Sequence, residues 1–432
     1  MSDPNRLLRV VVKGTDGYER ELHRLRRRGE SDLASVESSV RDVLAAVRSE
    51  GDAAVRRFVQ RFEQRTPSRL MLHEYGGREA LESLAPSVQE ALHAAAHRIQ
   101  RYHERQARQL QNGEYTEDGV TLASRVTPLS RVGVYAPGGK ARYPSSVLMC
   151  AVVARVAGVP EVIVASPDPG PEVRAACHVA GVRALLDAGG AQAVAALAYG
   201  TQSVPKVDKI VGPGNIYVAA AKKLVFGEVA IDSIAGPSEI LVVADEDADA
   251  GLVAADLLSQ AEHDEAAYPL LVCTSHQLVE AVRQQLVEQL QALPRSSIAE
   301  GSLDNHAVAL VVPTTQDLID VANELAAEHV AIHVTEAQHV ANRIERAGAV
   351  FVGAGTPEAA GDYLAGPSHV LPTGGAARFS APLGVYDFVS RSSVIAYSRE
   401  ALDAQAKQIT TLARLEELEG HARAVEIRLR GR

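Results

Sequence analysis

Alternation restricts the fold of this chain more than any other feature. From residue 131 onward, short apolar runs exchange places with longer segments of helical periodicity. "RVGVYA" (131–136), "EVIVAS" (161–166) and "KIVG" (209–212) are predicted strands. Helical "SSVLMCAVVARVAG", "PEVRAACHVAG" and "AQAVAALAYG" separate them, and helical "NIYVAAAKKLVFG" follows. A second series contains "EILVVAD" (239–245), "PLLVCTS" (269–275), "AVALVVP" (307–313), "HVAIHV" (329–334) and "AVFVG" (349–353). Two successive strand–helix series predict an α/β chain with two doubly wound, Rossmann-like parallel sheets, each covered by helices on both faces. The first 110 or so residues read instead as helices, and the tail from about residue 385 reads as helical and polar.

Length and charge narrow the function. At 432 residues the chain can build roughly two to four cores. The net charge of −10 argues against nucleic acid as the main partner, because a polyanion needs a cationic footprint. The one basic run, "LHRLRRRGE" (22–30), reads as part of a solvated N-terminal helix. No signal-peptide-like stretch opens the sequence, and no run approaches the roughly 20 apolar residues of a membrane span. A cytoplasmic protein is expected. Cys150, Cys177 and Cys273 all lie in apolar contexts without metal or redox spacing, so none is expected to act as an activated thiolate.

Several loops and side chains could carry chemistry. "VYAPGGKARYPSS" (134–146) and "VGPGN" (211–215) each follow a strand and precede a helix, while "AGPSE" (235–239) leads into a strand. Such loops point to a ligand cleft at the carboxyl ends of strands, although the G-x-G-x-x-G dinucleotide fingerprint is absent. In "SQAEHDEAA" (259–267), Gln260 and His263 fall on one helix face, as a solvated helix end or as half of a metal site. Glu328 and His329 stand where a helix gives way to a strand. They are either a base facing a cleft or a surface carboxylate beside a satisfied histidine. Asp362 and His369 lie in the irregular "GDYLAGPSHVLPT" (361–373), a kind of segment that is usually functional. Glu416 and His421, taken alone, read as an exposed helical face.

These motifs share an order and a spacing. "VGVYAPGGKARYPSSVLM", "GPGN", "GPSE", "QAEH", "EH" after "ANELA", "GDYLAGPSHVLPT" and the histidine near the C-terminus resemble the histidinol dehydrogenase family from about 36 to 428. The resemblance implies a homodimer with one Zn2+ per subunit. It would oxidise L-histidinol through L-histidinaldehyde to L-histidine with two NAD+, the last step of histidine biosynthesis. Gln260, His263, Asp362 and His421 match the family's zinc ligands, and Glu328 and His329 its catalytic pair. Ser238, His369 and Glu416 match substrate-contacting positions, alongside Gln260, His263, His329, Asp362 and His421. Tyr135, Gln192 and Asn215 match NAD-contacting positions. The implied organisation is an N-terminal extension (1–27), a discontinuous catalytic domain (28–131 and 240–384), an NAD-binding domain (132–239) and a helical tail (385–432) that serves the partner's site.

The sequence departs from the family pattern at Ala327, usually proline, at Ser368, usually asparagine, and at Glu417, usually glycine. No proposed ligand or base is lost. With no suitable cysteine, Glu328 is expected to activate the water that hydrates the aldehyde, and His329 to act as base in both oxidations. The alternative is a related NAD-dependent zinc dehydrogenase that oxidises another polar primary alcohol to an acid.

Overall fold

A computed structural model describes residues 4–28, 33–138 and 143–430. Part of the glycine-rich loop 134–146, at 139–142, lies outside the described residues, as does the end of the basic run at 29–30. The strands, in chain order, are β1 (Arg9–Val12), β2 (Met71–Leu72), β3 (Gly113–Glu117), β4 (Val120–Pro128) and β5 (Arg131–Tyr135). Next come β6 (Glu161–Ala165), β7 (Ala184–Leu186), β8 (Lys209–Val211), β9 (Ala230–Ile231) and β10 (Glu239–Ala244). The last are β11 (Tyr268–Cys273), β12 (Val308–Val311), β13 (His329–His333), β14 (Ala349–Val352) and β15 (Val389–Tyr397).

The chain divides into two compact units, Met1–Arg105 with Leu129–Phe388, and Gln106–Pro128 with Val389–Arg432. The first unit holds two six-stranded sheets. One has the order β1-β12-β11-β10-β13-β14, with every pair parallel. The other has the order β2-β7-β6-β5-β8-β9, parallel except for the antiparallel edge pair β2–β7. The predicted α/β class with two parallel sheets is the one observed. β10 and β13 are buried at every position, which is why they read as unbroken apolar runs and not as alternating ones. Strand order reverses between β10 and β13 in the first sheet, and between β5 and β8 in the second.

The segment boundaries need correction. The expected N-terminal extension contains β1, which pairs with β12 and forms the sheet's edge. Residues 33–72 do not join the catalytic sheet. Val40, Val43, Leu44 and Val47 of the helix Leu33–Glu50 pack into the core beneath the second sheet, and β2 pairs with β7. The apolar stripe of that helix finds its partner among Val194, Leu197, Val218 and Val225 of the second core.

The second unit carries a three-stranded antiparallel sheet, β15-β4-β3, and the helices Arg399–Leu415 and Glu419–Leu429. The tail is therefore not wholly helical. β15 is largely exposed and mixes serine and arginine with valine and isoleucine, so its strand character comes from pairing and not from a buried face. No helix among the described residues is long and apolar enough to cross a membrane.

Candidate metal and catalytic centre

Two helix ends deliver the chemical groups. The helix Thr315–Leu325 starts on Thr314, whose hydroxyl accepts from Asp317 N–H (3.2 Å), and ends on Ala326 at φ +46°. This left-handed turn carries Glu328 and His329, both buried, to the start of β13. The helix Ala250–Ala261 starts on Asp249, which accepts from Gly251 and Leu252 N–H, and brings fully buried Gln260 to the same end of the sheet. His263 lies two residues past the end of that helix. It sits in the turn just beyond, where its N–H donates to Gln260 O (3.2 Å).

The cluster thus lies at the amino ends of β10 and β13, next to Ser238 and Glu239, and not at the carboxyl ends that the glycine-rich loops suggested. Each crossover helix returns the chain to the amino edge, so helix C-termini and strand beginnings meet there. In the second sheet the glycine-rich loops do begin at carboxyl ends, after β5 and β8.

His329 Nδ1 lies 3.0 Å from Glu239 O. With that nitrogen donating to the carbonyl, Nε2 carries the lone pair. Nε2 is buried without a hydrogen-bond partner among the described residues and lies 3.9 Å from Asp362 Oδ1. Glu328 and Glu239 cap one another: Glu239 N–H donates to Glu328 Oε2 (3.0 Å), and Glu328 N–H donates to Glu239 Oε1 (3.1 Å). The Gln260 amide satisfies its surroundings when its nitrogen donates to Glu239 O (3.2 Å) and Glu358 Oε1 (3.0 Å). His369 Nδ1–H donates to Asp362 O (3.1 Å), and its Nε2 lies 3.3 Å from Ser146 Oγ.

Burial governs the charges. It raises Glu328 well above the usual carboxylate value, and the neighbouring Glu239 raises it further. Burial also pushes Glu358 up to about 8, and Asp362 up to about 6 against the pull of His329. It holds His263 and His369 down to about 4, and lowers His329 against the pull of Asp362. Carboxyl groups of raised proton affinity beside imidazoles of lowered proton affinity form a donor set that a cation would relieve. His329, Glu358 and Asp362 each present a ligand atom, all within 4.8 Å of one another. Nitrogen and carboxylate oxygen at this spacing suit a divalent transition metal such as zinc.

Of the ligands expected from the sequence, Asp362 belongs to this trio, and Gln260 touches it through Glu358. Glu416 and His421 belong to the second unit, at the end of the helix Arg399–Leu415 and within Glu419–Leu429. The sequence reading missed Glu358. A carboxylate four residues before Asp362, in an otherwise small and apolar turn, was the available signal. Ser238 immediately precedes β10, and its carbonyl accepts from Tyr268 N–H (2.9 Å).

The three expected NAD-contacting residues lie along the carboxyl edge of the second sheet. The Tyr135 hydroxyl accepts from Gly190 N–H (3.0 Å), and Gln192 Nε2 donates to Glu63 Oε1 (3.1 Å). Asn215 caps the helix Ile216–Val225, accepting from Tyr217 and Val218 N–H. A cavity of about 590 Å³ is lined by Leu92, Ile99, Leu148, Met149, His263 and Tyr363 among others. Burial raises all three thiols, Cys273 to about 11, as the sequence reading of inert cysteines requires.

The family model for histidinol dehydrogenase matches residues 26–429. The chain belongs to the histidinol dehydrogenase family. It is 48% identical over 430 residues to a histidinol dehydrogenase of Syntrophotalea carbinolica, covering 98% of this chain and all of that one. It is also 48% identical over 398 residues to one from Lactiplantibacillus plantarum, covering 91% and 92%. A crystal structure of histidinol dehydrogenase from Elizabethkingia anophelis superposes with a TM-score of 0.90 at 30% identity, covering 98% of each chain. As a family member the protein is an NAD-dependent oxidoreductase acting on a CH–OH group. Glu417 has φ +60°, a conformation that costs a side chain about 1 kcal/mol.

Proposed function

We propose that the protein converts L-histidinol through L-histidinaldehyde to L-histidine with two NAD+, as a zinc-dependent cytoplasmic homodimer in histidine biosynthesis. The observation that carries this reading is the buried His329, whose Nδ1 is committed to Glu239 O while Nε2 faces Asp362 with its lone pair free. Zinc, when bound, supplies a Lewis-acid anchor for the substrate, and NAD+ accepts both hydrides. Gln260, His263, Asp362 and His421 are the proposed zinc ligands, with Glu358 lying against the first of them, and His329, although grouped with Asp362 and Glu358, is kept as the base and not as a ligand. Ser238, His369 and Glu416 are proposed to contact substrate, and Tyr135, Gln192 and Asn215 to contact NAD.

His329 Nε2 takes the alcohol proton as the first hydride leaves. Burial keeps that imidazole neutral and so available as a base. Glu328, whose proton affinity is raised by burial and by Glu239, then removes a proton from water as the water adds to the aldehyde, while protonated His329 gives its proton to the carbonyl oxygen and is restored as a base. The resulting diol loses its second hydride while His329 again accepts the hydroxyl proton. The product is the carboxylic acid.

The homodimer reading rests on two surfaces. In the second unit Leu412, Leu415 and Ile427 are exposed on the same polar helices that carry Glu416 and His421. In the first, exposed Val88 and Leu364 line the cavity beside His263. Apolar surface of this kind is what a partner subunit would cover. The chemistry is tested by counting NADH per histidinol consumed, before and after chelation. Two NADH per histidinol, abolished by chelation and restored by zinc, is expected. One NADH per histidinol, or full turnover in protein shown to be metal-free, sinks the reading.

A further inference from the structure

We propose that the buried Arg28–Glu239 ion pair is the positioning element of the reacting pair, holding both ends of the turn 325–328 that aims Glu328 and His329. The inference rests on the reading of those two residues as the reacting groups. Both partners of the pair are 1% exposed at their side chains. Arg28 meets both carboxylate oxygens of Glu239 through Nε and Nη2. Among the described residues its other hydrogen bonds go to backbone, Nη2 to Leu325 O (2.7 Å) and Nη1 to Leu25 O (2.8 Å). Glu239 Oε1 in turn accepts from Glu328 N–H (3.1 Å) and Gly374 N–H (2.9 Å). The carbonyl that opens the turn and the amide that closes it therefore hang from opposite members of one ion pair.

The turn needs such support. Ala326 holds a left-handed conformation that alanine rarely adopts, and no glycine is present to ease it. The far side of the turn is fixed by backbone alone: Gly348 N–H donates to Ala327 O (3.0 Å), and Ala349 N–H donates to Glu328 O (2.8 Å). Glu239 also orients the reacting side chains directly, since its N–H holds Glu328 Oε2 and its carbonyl holds His329 Nδ1. A buried ion pair is weak support for stability, and a well-packed apolar pair of similar volume often folds as well. What an apolar pair cannot supply is a set of directional bonds to Leu325 O and Glu328 N–H. Arginine is the residue that can span a carboxylate and two carbonyls at once.

The test uses full-length, zinc-loaded enzyme. Arg28→Lys keeps the charge but loses the fork, and Glu239→Asp keeps the charge but shortens the reach to Glu328 N–H. In each variant kcat should fall about tenfold or more, as expected for misplaced reacting groups. The KM for histidinol should stay within about threefold, with zinc content and thermal midpoint retained. Should one variant fail to fold, the other carries the test. Wild-type kcat per folded molecule overturns the proposal, and so does a loss of activity that merely tracks lost zinc or lost folded protein. Glu328→Gln and His329→Asn are assayed alongside. If these also turn over normally, the reading of the reacting pair has failed. If they are inactive while Arg28→Lys and Glu239→Asp are normal, only the positioning role has failed.

Discussion

His329 shows how much a single hydrogen bond can decide. Its ring is assigned a tautomer by one carbonyl, Glu239 O, and that assignment turns an ordinary buried imidazole into a base with a free Nε2. Glu358 plays a comparable part for Gln260. It accepts from the amide nitrogen and from Ser259 Oγ (3.3 Å), and so turns the amide oxygen away from itself. Glu358→Ala should therefore weaken zinc about 10–100-fold, the usual cost of losing a group that orients a ligand. Competition with a chromogenic chelator measures this directly, and unchanged zinc affinity would remove Glu358 from the metal's surroundings. The sequence made Glu328, His329 and Asp362 legible because each interrupts a pattern at a helix end or in a glycine-rich loop. Glu358 was not legible, since its burial is created only when the helix Ala250–Ala261 packs against its turn.

Among the elements, the long parallel strands were legible and the short or exposed ones were not. β10, β11 and β13 are apolar because both faces are covered, and that leaves an unmistakable run. β2 and β9 have two residues each, and β3 is exposed along its whole length, so none leaves a pattern. The helix Leu33–Glu50 was recognised, but its amphipathic stripe does not say which sheet it covers. The "GPGN" loop carries a sharper constraint. Gly212 has φ +108°, and a Cβ there would stand 2.3 Å from Tyr135 O. Its N–H donates to Asp232, which pairs with buried Lys222, and Lys222 Nζ returns to Gly212 O (3.0 Å). Gly212→Ala should cost about 2 kcal/mol or more in urea unfolding. It should also weaken NAD+ binding while leaving histidinol binding intact. Unaltered NAD+ affinity in that variant would detach this loop from the nucleotide.

For the molecule as a whole, the proposed sharing of sites makes a quantitative prediction. Asp362→Ala and His421→Ala should each be inactive as pure dimers. After subunit exchange, half of the dimers are mixed, and in each of these one site gathers both lesions while the other gathers neither. About a quarter of wild-type activity should return. If His421 served its own chain, every site would keep a lesion and mixing would restore nothing. The centre at the amino edge of one sheet meets the start of a helix that leaves the carboxyl edge of the other, since His369 Nε2 lies 3.3 Å from Ser146 Oγ, and this has an electrical consequence. Helices laid on the first sheet finish at that edge, as Ala250–Ala261 does beside Gln260, and present the negative poles of their peptide dipoles. Helices laid on the second sheet begin there, as Ile216–Val225 does at Asn215, and present positive poles. One wall therefore favours a cation and the other an anion, by about 0.3–1 kcal/mol for each helix end. A metal ion and a dinucleotide's phosphates would be drawn to opposite walls before any side chain is counted.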